Sequence, residues 1–228
     1  MQRIYIIIII LHVCTSLFGQ TKGHTKPFII KGQFTDYPET HLYITYSDKH
    51  GEPLMDTVYL DEKGNFYLKS FKVKEPQPVE IKGSKTGIRN LFVAPGYELK
   101  LTGNGRDRQS LMESKKISGK GSENNRYYAI LDSIQNARAN GVNWLDLNEN
   151  DLLSYAKELK KLKDSIAHSV FNRPGNQDNF KKHFRTMVQM DNMFYYLYML
   201  VTHIYWNDYD YEKSISLLRN NFDNKILD

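Results

Sequence analysis

The sequence predicts an α+β protein: an N-terminal antiparallel β-sandwich or partly open barrel of about seven strands, then an α-helical subdomain of about four helices. Three observations carry this reading. Between Pro27 and Thr102 short apolar runs rich in β-branched and aromatic residues recur, several alternating with period two. Turn-forming clusters separate these runs at strand-like intervals. From Ser122 onward the apolar spacing changes to three and four, which is the period of helices.

The strands follow in order. Phe28 to Phe34 opens the series, and His41 to Tyr46 follows with Leu42, Ile44 and Tyr46 on one face. Thr57–Leu60, Phe66–Leu68, Val79–Ile81, Leu91–Val93 and Tyr97–Leu101 complete it. Segments 47–51, 61–65, 83–87 and Ala94-Pro95-Gly96 supply the turns. Pro95 fixes φ and Gly96 accepts a positive φ, as a type II turn requires. Connections this short leave no room for crossover helices, so the pairing is expected to be mainly antiparallel.

Gly103 to Gly121 reads as a polar connector, with residues 106–121 as a linker between a β-domain over 20–105 and a helical subdomain over 122–228. Ser122 is a candidate cap for a helix carrying Tyr127, Ile130, Leu131 and Ile134. A second helix is expected from Asn150 or Asp151 to Pro174-Gly175, with Leu152, Leu159, Leu162, Ile166 and Val170 in phase. A third runs from about Gln177 to Ile204, with His183, Met187, Met190, Phe194, Leu197, Val201 and Ile204 on one stripe. Tyr211 to Leu227 forms a fourth, with Ile215, Leu218, Phe222 and Ile226 aligned.

The first nineteen residues read as a secretion signal: Arg3 at the start, an apolar stretch over Ile4–Val13, then a small-residue exit ending at Gly19-Gln20. This places the mature chain in the periplasm or cell envelope. Lipidation at Cys14 is the alternative, although His12 and Val13 fit poorly before a lipidated cysteine. The apolar stretch is shorter than the ~20 residues a bilayer core demands, so no integral membrane protein is expected after signal cleavage.

Composition is that of a folded chain, at 40% hydrophobic and 25% charged residues. Its 31 Lys and Arg against 26 Asp and Glu lose only Arg3 with the leader, leaving an excess of +4. No Lys/Arg run interleaves with stacking aromatics, so no nucleic-acid partner is expected. The basic stretch Lys157–Lys163 carries leucines at helical spacing and reads as a solvated face.

Candidate chemistry is sparse. His183 and Asp191 lie eight residues apart, roughly 12 Å along a helix, too far for a direct acid–base pair. His203, Asp208 and Asp210 lack a metal-ligand spacing and read as turn and cap residues. Gly119-Lys120-Gly121-Ser122 lacks the spacing of a phosphate loop, and neither Ser70 nor Ser118 has an assignable base. No catalytic residue, metal or cofactor is assigned. The aromatic concentration from Phe194 to Tyr211 is the stronger signal, because tyrosine and tryptophan combine an apolar body with a polar tip. Tyr195, Tyr196, Tyr205, Trp206, Tyr209 and Tyr211 are the candidate interface residues. They serve either a partner or the seam between the two halves.

A series of short features in fixed order adds a resemblance. These are Ile30-Lys31-Gly32-Gln33-Phe34, Leu42-Tyr43-Ile44, Asp56-Thr57-Val58, Gly64-Asn65-Phe66, Pro76–Ile81, Leu91–Gly96 and Ile117-Ser118-Gly119. Together they resemble a domain of unknown function, with its helical connector, at the N-terminus of exported thioredoxin-like thiol–disulfide oxidoreductases of Gram-negative bacteria. In that family the Cys-x-x-Cys pair lies in a thioredoxin-like domain further downstream, and no position here matches it. The resemblance implies a non-catalytic accessory module of an envelope thiol–disulfide system that docks or positions a partner, such as an envelope protein or thioredoxin-like domain. A free-standing periplasmic module binding a small molecule or glycan is the other reading, and a hydrolase without a recognisable motif is a third.

The sole cysteine of the sequence is Cys14, inside the expected leader. The chain starting at Gln20 is therefore expected to reduce no insulin disulfides in a turbidity assay; turnover above the no-protein rate would contradict this reading.

Overall fold

A computed structural model describes residues 26–207 apart from 49, 85 and 138–141, together with residues 210, 212 and 216. The expected signal, Cys14 and most of the expected fourth helix lie outside the described residues. Among the described residues eight strands form two four-stranded sheets. They are β1 (Phe28–Thr35), β2 (His41–Ser47), β3 (Pro53–Tyr59), β4 (Asn65–Ser70), β5 (Gln77–Lys82), β6 (Gly87–Val93), β7 (Glu98–Asn104) and β8 (Lys116–Lys120). The first sheet has the order β4-β1-β7-β8 and the second β3-β2-β5-β6. Every pairing is antiparallel except that of β1 with β7, where Ile30 lies beside Leu99.

Period two decides which side chains meet between the sheets. Leu42, Ile44 and Tyr46 of β2 point inward, as the alternation predicts, and pack with Phe28, Ile30, Phe34, Ile81, Leu99 and Leu101. The Pro95-Gly96 turn also forms as expected: Gly96 has φ +83° and the Tyr97 N–H donates to the Ala94 carbonyl at 3.0 Å.

The segment expected as a linker over 106–121 is not a free connector. It holds a short helix, α1 (Arg108–Ser114), and strand β8. Asp107 caps α1 by accepting the Ser110 N–H at 2.8 Å, and Leu111 is fully buried in the sandwich core. Strand β8 pairs with β7, Leu101 opposite Ile117 and Leu99 opposite Gly119. Its single apolar residue, Ile117, gives an edge strand too little alternation to read from sequence.

The remaining helices are α2 (Ser122–Ala137), α3 (Glu149–Phe171) and α4 (Lys181–Asn207), with a 3₁₀ turn at Trp144–Asp146 before α3. The start of α3 lies just before the expected one because Asn148, not Asn150 or Asp151, is the cap, accepting the Asp151 N–H at 3.0 Å. The start of α4 lies later than Gln177 because Asn176 and Asp178 hold the preceding turn. The Asn176 side-chain oxygen accepts the Asp178 N–H at 3.1 Å, and the Asp178 carboxylate accepts the Phe180 N–H at 2.8 Å. Such short polar side chains compete with helical hydrogen bonding.

A seam joins sandwich to helices. Phe92 of β6 stacks on Phe184 of α4 at 4.3 Å between centroids, beside Tyr97, Tyr127, Phe171 and Val188. A chain of buried hydrogen bonds crosses the same place: Asn176 donates to Asn124 (2.9 Å), Asn124 to the Tyr97 hydroxyl (2.7 Å), and Tyr97 to Asp178 (2.8 Å). Asn125 of α2 binds the open edge of β6, accepting the Phe92 N–H at 2.7 Å and donating to the Phe92 carbonyl at 3.0 Å. Further along, Leu152, Ala156, Met193, Leu200 and Ile204 pack α3 against α4.

Asn125→Ala strands both backbone groups of Phe92 in a buried place, at a cost of about 2–4 kcal/mol. Calorimetry is expected to show Tm lower by roughly 5–10 °C, whereas Glu113→Ala on the exposed side of α1 changes stability by less than about 0.5 kcal/mol.

Candidate docking face

The helical period sorts the aromatic concentration of α4 into two faces. Met193, Tyr196, Leu200 and Ile204 face α3 and the 3₁₀ turn. Phe194, Tyr198, Val201 and Tyr205 recur at four, three and four and lie on a neighbouring side, all exposed, with the Tyr198 ring 6.3 Å from Trp144 of the 3₁₀ turn. Tyr195 and Trp206 flank them at 39% and 69% exposure. Six large apolar side chains thus share the outer side of one helix. Such contiguous apolar exposure marks interaction surfaces.

Of the expected interface residues, Tyr195, Tyr205 and Trp206 belong to this surface. Tyr196 does not: it is 4% exposed and packs in the α3–α4 core, because one residue further along a helix turns the side chain by about 100°. Tyr209 and Tyr211 lie outside the described residues. Among the described residues the seam is filled by Phe92, Tyr97, Tyr127, Phe171 and Phe184, not by the described aromatics of this cluster. The expected single stripe of the third helix also divides, with Ile204 buried and Leu197 packed against the core, while Phe194 and Val201 are exposed.

A polar rim borders the face. Lys163 of α3 places its Nζ 3.8 Å from the centroid of the Tyr195 ring, a cation–π contact. Burial holds the Lys163 amine below the ordinary lysine range, opposed by the charges of Asp191 and Asp164. Burial raises the Asp191 carboxyl, opposed by Lys163. Tyr128 of α2 is raised by burial first and then by the Asp191 charge. The basic stretch Lys157–Lys163 is therefore not a uniformly solvated face: Lys157 and Lys161 are exposed, but Lys163 turns inward.

The other candidates disperse. His183 sits against the loop before β5, where burial lowers its pKa, opposed by the hydrogen bond it donates to the Pro76 carbonyl and by the Glu75 charge. It is not brought to Asp191. His203 is buried, with Nε2 2.6 Å from the Leu147 carbonyl. Among the described residues no group of three His, Cys, Asp or Glu could hold a metal ion. Gly119 belongs to β8 and pairs with Leu99, so its loop forms no phosphate cradle. Ser70 is buried 3.4 Å from the Tyr46 hydroxyl, and Ser118 is exposed on β8. Among the described residues no helix is long and apolar enough to cross a membrane.

A concavity of about 590 Å³ lies over the outer face of the β3-β2-β5-β6 sheet. Thr45, Ser47, Glu80, Lys82, Arg89 and Asn90 line it. Glu80 already pairs with Lys82 at 2.8 Å and with Arg89 at 3.5 Å.

Compared with protein-family models, curated proteins and solved structures, the chain matches none.

Two members of the site carried different signals. The four-three-four spacing of Phe194, Tyr198, Val201 and Tyr205 is readable in the sequence, although which side of α4 it covers is not. Lys163 gave no signal, because its setting depends on α4 lying across α3.

Asp191→Asn removes a charge that favours the Lys163 ammonium. The midpoint for labelling Lys163 with an amine-reactive ester, followed by mass spectrometry, is expected to move to lower pH; an unchanged or raised midpoint would contradict the coupling.

Proposed function

We propose that this chain is a non-catalytic docking module of an exported thiol–disulfide system, and that it presents the outer face of α4 to a protein partner in the cell envelope. The observation carrying the reading is that exposed face: Phe194, Tyr195, Tyr198, Val201, Tyr205 and Trp206 on a helix whose neighbouring side is packed. Aromatic side chains supply large contact area at low entropy cost and are enriched in interface centres. The buried seam supports the reading further, since it fixes α4 to the sandwich and presents the face as a rigid surface. Rigid presentation lowers the ordering cost of binding.

The thiol–disulfide context rests on the resemblance of the β-half to the N-terminal domain of exported thioredoxin-like oxidoreductases. A thioredoxin-like domain, in another chain or elsewhere in the same protein, is the partner this favours. The concavity on the outer sheet face gives a second reading, binding of a small molecule or glycan, its particular support being the size of the groove. It ranks second because the Glu80 carboxylate is already neutralised by Lys82 and Arg89.

A photo-cross-linking residue at Tyr198, introduced in cells exporting the protein, tests the docking reading. The expected result is a discrete adduct with a thioredoxin-like envelope domain, absent when the cross-linker replaces Tyr59 on the sandwich. Absence of any partner adduct from Tyr198 would refute it.

A further inference from the structure

We propose that the open edge of β3 pairs with β3 of a second copy of this chain, antiparallel about a two-fold axis at Thr57. The β3-β2-β5-β6 sheets of the two copies then join into one of eight strands. This interface goes beyond the docking reading of α4 and uses a different surface.

Position is the first argument. In the order β3-β2-β5-β6, β3 is an edge strand, and among the described residues no strand lies beyond it. The helices attach at the other edge, through Phe92 of β6. That is three strands away, roughly 14 Å.

Backbone direction is the second. In an antiparallel pair alternate residues turn their peptide groups toward the neighbour. Two bonds at the ends of the β2–β3 ladder fix which residues do so. The Leu60 N–H donates to the Thr40 carbonyl at 2.8 Å, and the Asp48 N–H to the Glu52 carbonyl at 2.8 Å. Leu54, Asp56 and Val58 therefore face β2, while Met55, Thr57 and Tyr59 turn their N–H and carbonyl groups outward. Pro53, next in the outward series, has no N–H to offer and ends the usable edge.

The third argument is that this edge is unguarded. Proteins protect sheet edges with lysines, bulges or a covering element. Asn125 closes β6. Strand β8 has Lys116 and Lys120 at its ends and Gly119 at φ +92°. Strand β4 carries Lys69, and the peptide groups of Asn65 at its start are bonded to Asp61. The one charge of β3 is Asp56, whose carboxylate is taken by Lys72 and the Tyr46 hydroxyl. Met55 and Tyr59 stand 58% and 74% exposed, with Thr57 exposed between them.

Complementarity selects a second copy as the occupant and sets the register. With the axis at Thr57, Met55 lies opposite Tyr59 of the second copy and Thr57 opposite its own counterpart. Each outward residue gives one donor and one acceptor, so the three residues of each copy together form about six hydrogen bonds. The side chains match as well, as a sulfur–ring contact and a Thr–Thr pair. On the inner side Leu54 meets Leu60 of the second copy, both half-buried at the rim of the core. Neighbouring axes do less well. One at Asp56 sets two carboxylates opposite each other and places Pro53 where a donor is needed. One at Val58 calls on the Asp61 N–H, which already donates to the Asn65 carbonyl at 3.0 Å. Self-complementary pairing about a two-fold axis is the commonest form of homo-oligomer contact.

Sedimentation of the chain from Gln20 onward is expected to show monomer giving way to dimer as concentration rises; monomer throughout would overturn the proposal. Thr57→Pro removes the outward N–H, and Thr57→Lys sets like charges together at the axis. Each is expected to weaken the dimer roughly tenfold or more, whereas Tyr67→Lys on β4 leaves it unchanged. Thr57→Lys decides the matter where the proline variant loses its circular dichroism. A dimer that survives the Thr57 variants lies elsewhere on the molecule and equally overturns the pairing. Register is read with single cysteines, since the chain from Gln20 onward has none. Hydrogen-bonded partners have Cα atoms about 5.5 Å apart, within the roughly 7 Å that a disulfide spans. Thr57→Cys is expected to link into dimers under mild oxidation. Met55→Cys, four steps or roughly 14 Å from its counterpart, is expected to stay reduced. Faster linking through Met55→Cys than through Thr57→Cys would refute the axis.

Discussion

The contact on which the arrangement depends is between Asn125 and Phe92. Strand β6 is the last strand of its sheet, paired on one side with β5, where Phe92 lies opposite Pro78. The other edge would leave the N–H and carbonyl of Phe92 without partners in a place where the residue is fully buried. The carboxamide of Asn125 has the donor and acceptor of a peptide group at a similar separation. It takes both, as a further strand would, at 2.7 and 3.0 Å. Its amide also donates to the Gly121 carbonyl at 3.0 Å, tying down the turn that leads into α2. One side chain thus closes a sheet edge, which proteins otherwise cover with a helix or charge, and sets where the first long helix begins.

From that point the placement of the other helices follows. With α2 fixed on β6, the Phe92 side chain projects into the space that Phe184 and Phe171 fill. Asn124, the neighbour of Asn125, turns to the Tyr97 hydroxyl and connects through Asn176 and Asp178 to the turn before α4. The Tyr127 hydroxyl donates to Asn192 at 3.0 Å, and Asn192 donates to Asp164 at 3.0 Å, so α2, α4 and α3 are linked in sequence. These buried polar groups specify more than they stabilise. Each hydrogen bond contributes modestly, but a rotated helix would leave several groups unsatisfied at once. The outer face of α4 is therefore directed away from the body of the protein by interactions made elsewhere on the same helix.

Legibility of the sequence follows the range of the interactions involved. The inward side chains of β2 and the Pro95-Gly96 turn depend on neighbours a few residues away, and alternation and φ preference reveal both. Strand β8 depends on β7 for its existence, and Lys116-Ile117-Ser118-Gly119-Lys120 has no period of its own. The expected start of α4 at Gln177 failed because Asn176 and Asp178 bind long-range partners and spend their side chains on a turn. The aromatics near the end of α4 suggested the seam, but the seam is built by Phe92 from β6, by Tyr97 from the turn before β7, and by Tyr127, Phe171 and Phe184 from three helices. Tyr195 and Tyr196 illustrate the limit. Adjacent and identical, they lie on opposite sides of the boundary between surface and core, and only the position of α3 decides which is which.

A 27-residue helix with apolar side chains around most of its circumference over Phe194–Trp206 needs covering on more than one side. Helix α3 and the 3₁₀ turn cover one side. Burying the other would remove the 38–59% of Phe194, Tyr198, Val201 and Tyr205 still in water, each gaining about half of the roughly 1.5–3 kcal/mol of full burial before ordering costs. Even part of such a gain is sizeable beside the stability of a domain, and a partner protein can supply it. Lys163 beside Tyr195, with Asp191 at the rim, supplies charged groups by which such a partner can be selected.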